Sequence, residues 1–224
     1  MGGGFPIDLV LFGLVAAFLV LRLVSILGKR TGLEQPTERV APDSAGRPAP
    51  RMQSGVIDAV AEPVAPVGRA LPDPSSPVGV ALQSMAEVDR HFQPQRFLEG
   101  AEAAFRIIVD AFGAGDRMRL HPLLSTATYA AFEGAITARE AEGHTQRTEI
   151  RSIESAAIDH AELAGTTATI VVKFVSDQVN VTMGTDGLPV AGADAVTEIV
   201  DIWSFERDLA QSDPAWRLAA ARSA

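Results

Sequence analysis

Ala168-Thr169-Ile170-Val171-Val172-Lys173-Phe174 is the stretch that decides the fold. Ala168, Ile170, Val172 and Phe174 alternate with Thr169, Val171 and Lys173, which is the period-2 pattern of a strand with one strongly buried face. Upstream, Thr148 to Leu163 reads as a strand that enters it through the turn at Ala164-Gly165. Downstream, Val179, Val181 and Met183 extend the sheet, and Gly184-Thr185-Asp186-Gly187 supplies a turn. A long β-rich run from Ala195 to Phe205 follows, and Ala215 to Ala221 closes the meander.

Before Gly143 the period is helical. Gln93-Pro94 opens a helix, with Pro near the first position, where its missing N–H costs nothing. Phe97, Ala101, Ala104, Phe105, Ile108 and Phe112 recur at spacings of three and four, and Gly113 and Gly115 end the run. A second helical stretch starts at Leu120, Leu123 and Leu124 and continues from a Ser125 cap through Thr128, Ala131, Phe132 and Ile136. Helices followed by antiparallel strands give an α+β class, with helices packed on one face of a curved antiparallel sheet. Just ahead, Val78, Leu82, Met85 and Phe92 sit at helical spacing among Gln83, Glu87, Asp89 and Arg90. That segment suits a membrane surface, a partner or its own domain, and its lack of basic charge favours the last.

The two ends of the chain differ sharply. Ile7 to Leu27 is a 21-residue apolar run, close to the roughly 20 residues a helix needs to cross a bilayer. Ile7, Leu9, Phe12, Leu14, Phe18, Leu21, Leu23 and Leu27 are its expected lipid-facing anchor residues. The preceding residues carry no Lys or Arg and Ser25-Ile26-Leu27-Gly28 is a poor cleavage site, so an uncleaved anchor fits better than a secretory signal. Arg22, Lys29 and Arg30 all lie at the C-terminal side, so the positive-inside rule predicts a single-pass inner-membrane protein of a bacterium with the rest of the chain facing the cytoplasm. Nine of the 14 prolines fall between residues 31 and 77, the composition of a semi-extended tether. The expected organisation is an anchor at 1–30, a Pro-rich linker at 31–77 and a folded domain at 78–224.

Charge and cysteine count exclude several functions. Residues 84–224 hold 12 basic and 21 acidic side chains, a balance of −9, while residues 1–83 hold seven of each. A domain this acidic does not suit nucleic acid, whose phosphates require a basic face, and an anionic leaflet repels it. The contact with membrane lipid therefore falls to the N-terminal helix. There is no cysteine, which fits a reducing compartment. His91, His121, His144 and His160 are scattered without ligand-like neighbours, and Gly113-Ala114-Gly115 lacks the Lys and Thr of a phosphate loop, so no metal or cofactor is expected.

Three patches carry a resemblance. Phe97-Leu98-Glu99-Gly100-Ala101 through Phe112-Gly113-Ala114-Gly115-Asp116 resembles the opening helix of the domain of mitochondrial inner-membrane translocase subunit 44. Leu123-Leu124-Ser125 through Tyr129, Phe132 and Ile136 resembles its second helix. Asp201-Ile202-Trp203-Ser204-Phe205-Glu206-Arg207, with Ser212-Asp213-Pro214-Ala215-Trp216-Arg217-Leu218, is similar to its closing hairpin. The patches span Phe92 to Leu218, and an anchor followed by a Pro-rich tether resembles the alphaproteobacterial, membrane-anchored members of this Tim44-like family. The resemblance implies a cone-shaped fold like nuclear transport factor 2, with bent sheet and helices around a large apolar pocket. It also implies partners among inner-membrane proteins or translocation components. One departure matters: the mitochondrial protein has a long charged helical region before the domain, and here a Pro-rich leash stands in its place.

The sequence leaves three functions open. The first is a non-catalytic scaffold or adaptor that aids translocation, insertion or assembly of membrane proteins. The second is a binder of lipid or hydrophobic peptide through the domain pocket, with Phe97, Phe174, Trp203, Phe205 and Trp216 as candidate pocket or partner-face residues. The third is an isomerase- or dehydratase-type enzyme built on Asp201, which lacks a His or Tyr beside it in the sequence.

Overall fold

The computed structural model describes residues 68–224. The expected anchor (Ile7 to Leu27) and most of the expected tether lie outside the described residues, as do the topology charges Arg22, Lys29 and Arg30. The elements run β1 (Gly68–Ala70), α1 (Pro77–Val88), α2 (Pro94–Ala114), α3 (Arg117–Leu120), a 3₁₀ turn (His121–Leu123), α4 (Thr126–Ala141), β2 (Thr145–Ala164), β3 (Thr167–Met183), β4 (Pro189–Asp208) and β5 (Arg217–Ser223). Among the described residues, no helix is long and apolar enough to cross a membrane.

The helices begin and end for local reasons. Ser76 caps α1, its hydroxyl accepting the Gly79 N–H at 3.0 Å with Pro77 in the first turn. α1 packs Leu82 and Met85 into the core, so the amphipathic segment rests on its own domain. α2 ends at Gly115, whose φ of 71° is the left-handed conformation that a side chain disfavours. Ser125 caps α4, and its N–H also reaches the Leu218 carbonyl at 2.9 Å. Thr128 Oγ1 then donates to the Ala219 carbonyl at 2.6 Å, which fastens α4 to β5.

The five strands form one sheet in the order β1-β2-β3-β4-β5. The four long strands pair antiparallel, as the alternation predicts, but β1 pairs parallel to β2 at Ser155, Ala156 and Ala157. The sheet is therefore mixed, a correction to the antiparallel sheet expected from sequence. Three residues between Pro66 and Pro72 are too few to show a period, so composition hid this strand within the apparent linker. The ion pair of Arg69 with Glu102, at 2.8 Å, ties it to α2. Register shifts at Ile150/Ser152, Ile153/Ser155 and Ile158/His160 bend β2, and bulges of this kind raise local twist. β4 carries its own irregularity: Thr197 faces Gln178 while Ala193 faces Asn180. Gly192 stands beside it with φ of 76°, and a Cβ there would lie 2.1 Å from the Asn180 carbonyl oxygen.

Candidate functional site

The helices cover one face of the bent sheet, and the inward side chains of that face fall into an apolar half and a polar half. In the apolar half, α2 supplies Phe97 and Phe105, β3 supplies Ile170, Val172 and Phe174, and β4 supplies Trp203 and Phe205. Register explains why they meet: Val172 faces Trp203 and Ile170 faces Phe205 across the β3–β4 ladder. Phe105 stacks on Phe174 with ring centroids 4.4 Å apart and meets Trp203 edge-on at 4.6 Å. Phe97 touches Phe205 at 5.9 Å and Trp216 at 4.7 Å, and Phe92 adds a contact to Trp216 at 5.8 Å.

The structure thus joins all five candidate pocket residues in one network of rings. Phe174, Trp203 and Phe205 are each no more than 1 % exposed, Phe97 is buried at the margin, and Trp216 packs half-buried against the core. In the sequence Phe105 is one member of a helical stripe, and in the structure it is the ring that fills the space between α2 and the sheet. This half is packed rather than open. The indole N–H of Trp203 is buried among these rings and makes no hydrogen bond among the described residues.

The polar half continues the same inward row of β3 as Ser176, Gln178, Asn180 and Thr182, all buried. Gln178 Nε2 donates to Ser176 Oγ at 2.9 Å and to Asp201 Oδ2 at 3.2 Å, while Ser223 Oγ donates to Asp201 Oδ1 at 3.2 Å. Asp201 is fully buried, and these groups hold its carboxylate at the junction of β3, β4 and β5. Nearer the open end of β2, Gln146 donates to Thr148 and Asn180 at 3.0 Å each. Arg139 of α4 donates to Gln146 and caps the end of α2 through the Phe112 and Gly113 carbonyls at 3.0 and 3.2 Å. Burial pushes the Arg139 guanidinium below its ordinary pKa.

A signal for this half was present in the sequence. Even-numbered residues of β3 stay inward beyond Phe174 while the apolar residues move to odd positions at Val179 and Val181. The strand does not break where its polarity changes face. A second fastening, between distant segments, joins Arg207 of β4 to Asp89 at the end of α1 at 2.9 Å, with both side chains 12 % exposed. The His91 amide, and after it Arg207, hold the Asp89 carboxyl below the usual range against the opposing effect of burial. Among the described residues, no group of three or more His, Asp or Glu is placed to hold a metal ion.

The family profile of the Tim44-like domain matches residues 78–223. This chain belongs to the Tim44-like domain family. The matched Tim44-like region runs from α1 to β5, so β1 and the loop to Ser76 lie upstream of it. The intermembrane space region of the chloroplast protein ARC6 matches with 13% identity over 59% of this chain and 97% of its own, at a TM-score of 0.45. A candidate dehydratase of the NTF2-like family from Streptomyces avermitilis matches with 14% identity over 58% and 97% of the two chains, at a TM-score of 0.38. No curated protein matches the sequence. The Tim44-like domain here therefore presents a filled aromatic centre, a satisfied polar half and an acidic surface.

Proposed function

We propose that the protein is a membrane-anchored, non-catalytic scaffold or adaptor that aids translocation, insertion or assembly of inner-membrane proteins. The observation that carries this reading is the match of the Tim44-like domain over residues 78–223. The sequence adds an apolar segment long enough to span a bilayer and a Pro-rich stretch ahead of the domain. In this reading the segment at Ile7 to Leu27 inserts in the inner membrane, and the acidic domain works in the cytoplasm on protein partners.

The packing of the concave face supports an adaptor over a small-molecule enzyme. Isomerase and dehydratase chemistry requires a substrate-sized cavity with a carboxylate and a second proton-transfer group facing it. Here Phe105, Phe174 and Trp203 occupy the apolar half, and Asp201 is engaged by Gln178 and Ser223. The same rings leave a lipid little room inside this half.

Purification of the full-length protein from native membranes in mild detergent, with partners identified by mass spectrometry, tests the reading. Specific recovery of translocation, insertase or membrane-complex subunits supports it. Removal of residues 1–30 is expected to abolish function while the domain still folds. A soluble 31–224 chain that restores a deletion strain fully would sink the anchored-adaptor idea.

A further inference from the structure

The sheet turns one face to the helices, and its other face carries a pattern of its own. On β3 the outward row runs Val171, Lys173, Val175 and Asp177, alternating with the buried Ile170, Val172, Phe174 and Ser176. Register extends each outward position across the sheet. Lys173 lies opposite Ala157 of β2 and Ile202 of β4, and Ile202 lies opposite Arg222 of β5. Val175 lies opposite Ser155 and Val200, and Asp177 opposite Ser152 and Glu198. The outward face therefore holds a basic row (Lys173, Arg222), an apolar row (Val175, Val200) and an acidic row (Asp177, Glu198), in that order.

Two features of this face do not suit one that meets only water. Val171, Val175, Val200 and Ile202 are β-branched, apolar and partly exposed, where a solvated sheet face carries polar residues. The charges are also unspent. Lys173, Arg222 and Glu198 make no ion pair among the described residues, and Asp177 accepts only Ser152 Oγ, at 3.3 Å. Asp177 and Glu198 stand directly opposite one another, a like-charge pairing that destabilises a sheet.

We infer that a second copy of this chain covers the outward face, forming a two-fold dimer of sheet on sheet. A two-fold that packs identical faces together lies in the plane between them. Placed across the strands at the Val175–Val200 row, it runs each strand antiparallel to its counterpart and brings the two apolar rows together. The basic row of each protomer then lies over the acidic row of the other. Lys173 meets the second copy's Asp177, Arg222 reaches its Glu198 from the neighbouring strand, and both contacts occur twice. Each like-charge pair thereby gains the cations it lacks. An axis at the Lys173 row would instead set lysine on lysine, so charge fixes the register. The patch spans about 26 Å from Thr169 to Asp177 and about 19 Å over four strands, roughly 500 Å² per copy. The two copies together bury roughly 1,000 Å², the lower end for a specific interface, so the dimer is reversible. The inference goes beyond the adaptor reading and does not depend on it.

The test is sedimentation velocity of the full-length protein in mild detergent from about 1 to about 100 μM, the range suited to a small interface. The expected result is a monomer–dimer equilibrium. Lys173→Glu sets acid against acid at both ends and should weaken it by about tenfold or more. Lys173→Asp combined with Asp177→Lys exchanges the two signs and should return the affinity to within about threefold of wild type. The chain has no cysteine, so single ones report position. Val175→Cys, on the axis, should cross-link through a short bis-maleimide, whereas Val80→Cys, exposed on α1, should not. Tryptophan fluorescence verifies that each variant is folded. A monomer throughout overturns the inference, as does a double exchange that fails to restore the dimer. A dimer indifferent to Lys173→Glu also overturns it, because another segment then holds the copies together. So does a Val175→Cys thiol that reacts slowly with a monofunctional maleimide at every dilution, because the chain then covers this face itself.

Discussion

Phe105→Ala probes whether the concave face is a filled core. Phe105 is fully buried, and truncation forfeits the transfer free energy of its ring, about 1.5–3 kcal/mol. It also removes the stacked contact to Phe174 at 4.4 Å and the edge contact to Trp203 at 4.6 Å, each worth about 0.5–1.5 kcal/mol. The sum is about 2.5–6 kcal/mol, centred on the range of about 3–5 kcal/mol known for buried Phe→Ala changes. Urea unfolding of the full-length protein in detergent reads it through fluorescence, because the chain's two tryptophans are Trp203 and Trp216 and both lie in the domain. With a slope of about 2 kcal/mol per molar, the midpoint should fall by about 2 M with the slope unchanged. A fall below about 0.5 M, under about 1 kcal/mol, would mean that Phe105 borders open space. The packed-core argument against a pocket would then fail.

Three further outcomes follow from the same contacts. Asp89→Asn removes the charge that Arg207 faces in a nearly buried site and should cost about 1–3 kcal/mol by the same unfolding assay. Because the folded-state pKa of Asp89 is depressed, its contribution is full above the unfolded value near 3.8 and is lost as pH falls through the lower folded value, so wild type and variant should converge in acid; a gap that persists there refutes the assignment. Gly192→Ala combines a φ of 76° with a 2.1 Å approach to the Asn180 carbonyl oxygen and should cost about 2 kcal/mol or more; a neutral result means that the β4 irregularity relaxes freely. Glu102→Gln leaves Arg69 and Arg106 without their shared carboxylate and should speed amide exchange at 68–70 by about tenfold while β3 amides keep their protection.

Period and punctuation made most of this fold readable. The Ser125 cap, the glycines closing α2 and the strict alternation at Ala168–Phe174 each act within a few residues, and each appears where the sequence puts it. What escaped acts over long separations. β1 is three residues held by Glu102, 33 positions away, and Asp89 meets Arg207 across 118. Neither pairing leaves a local pattern. The candidate site divides along the same line. Alternation put Phe174, Trp203 and Phe205 on one face, but a period says nothing about what lies above that face. Only the crossing of α2, which lays Phe105 on Phe174, makes the difference between a pocket wall and a core. The polar row from Ser176 to Thr182 has the opposite lesson. Its alternation was as regular as the apolar row's, with the hydrophobes shifted outward to Val179 and Val181. A strand whose apolar side changes without a break is buried on both faces at one end, and an inward face lined by amides and hydroxyls excludes a simple greasy cone.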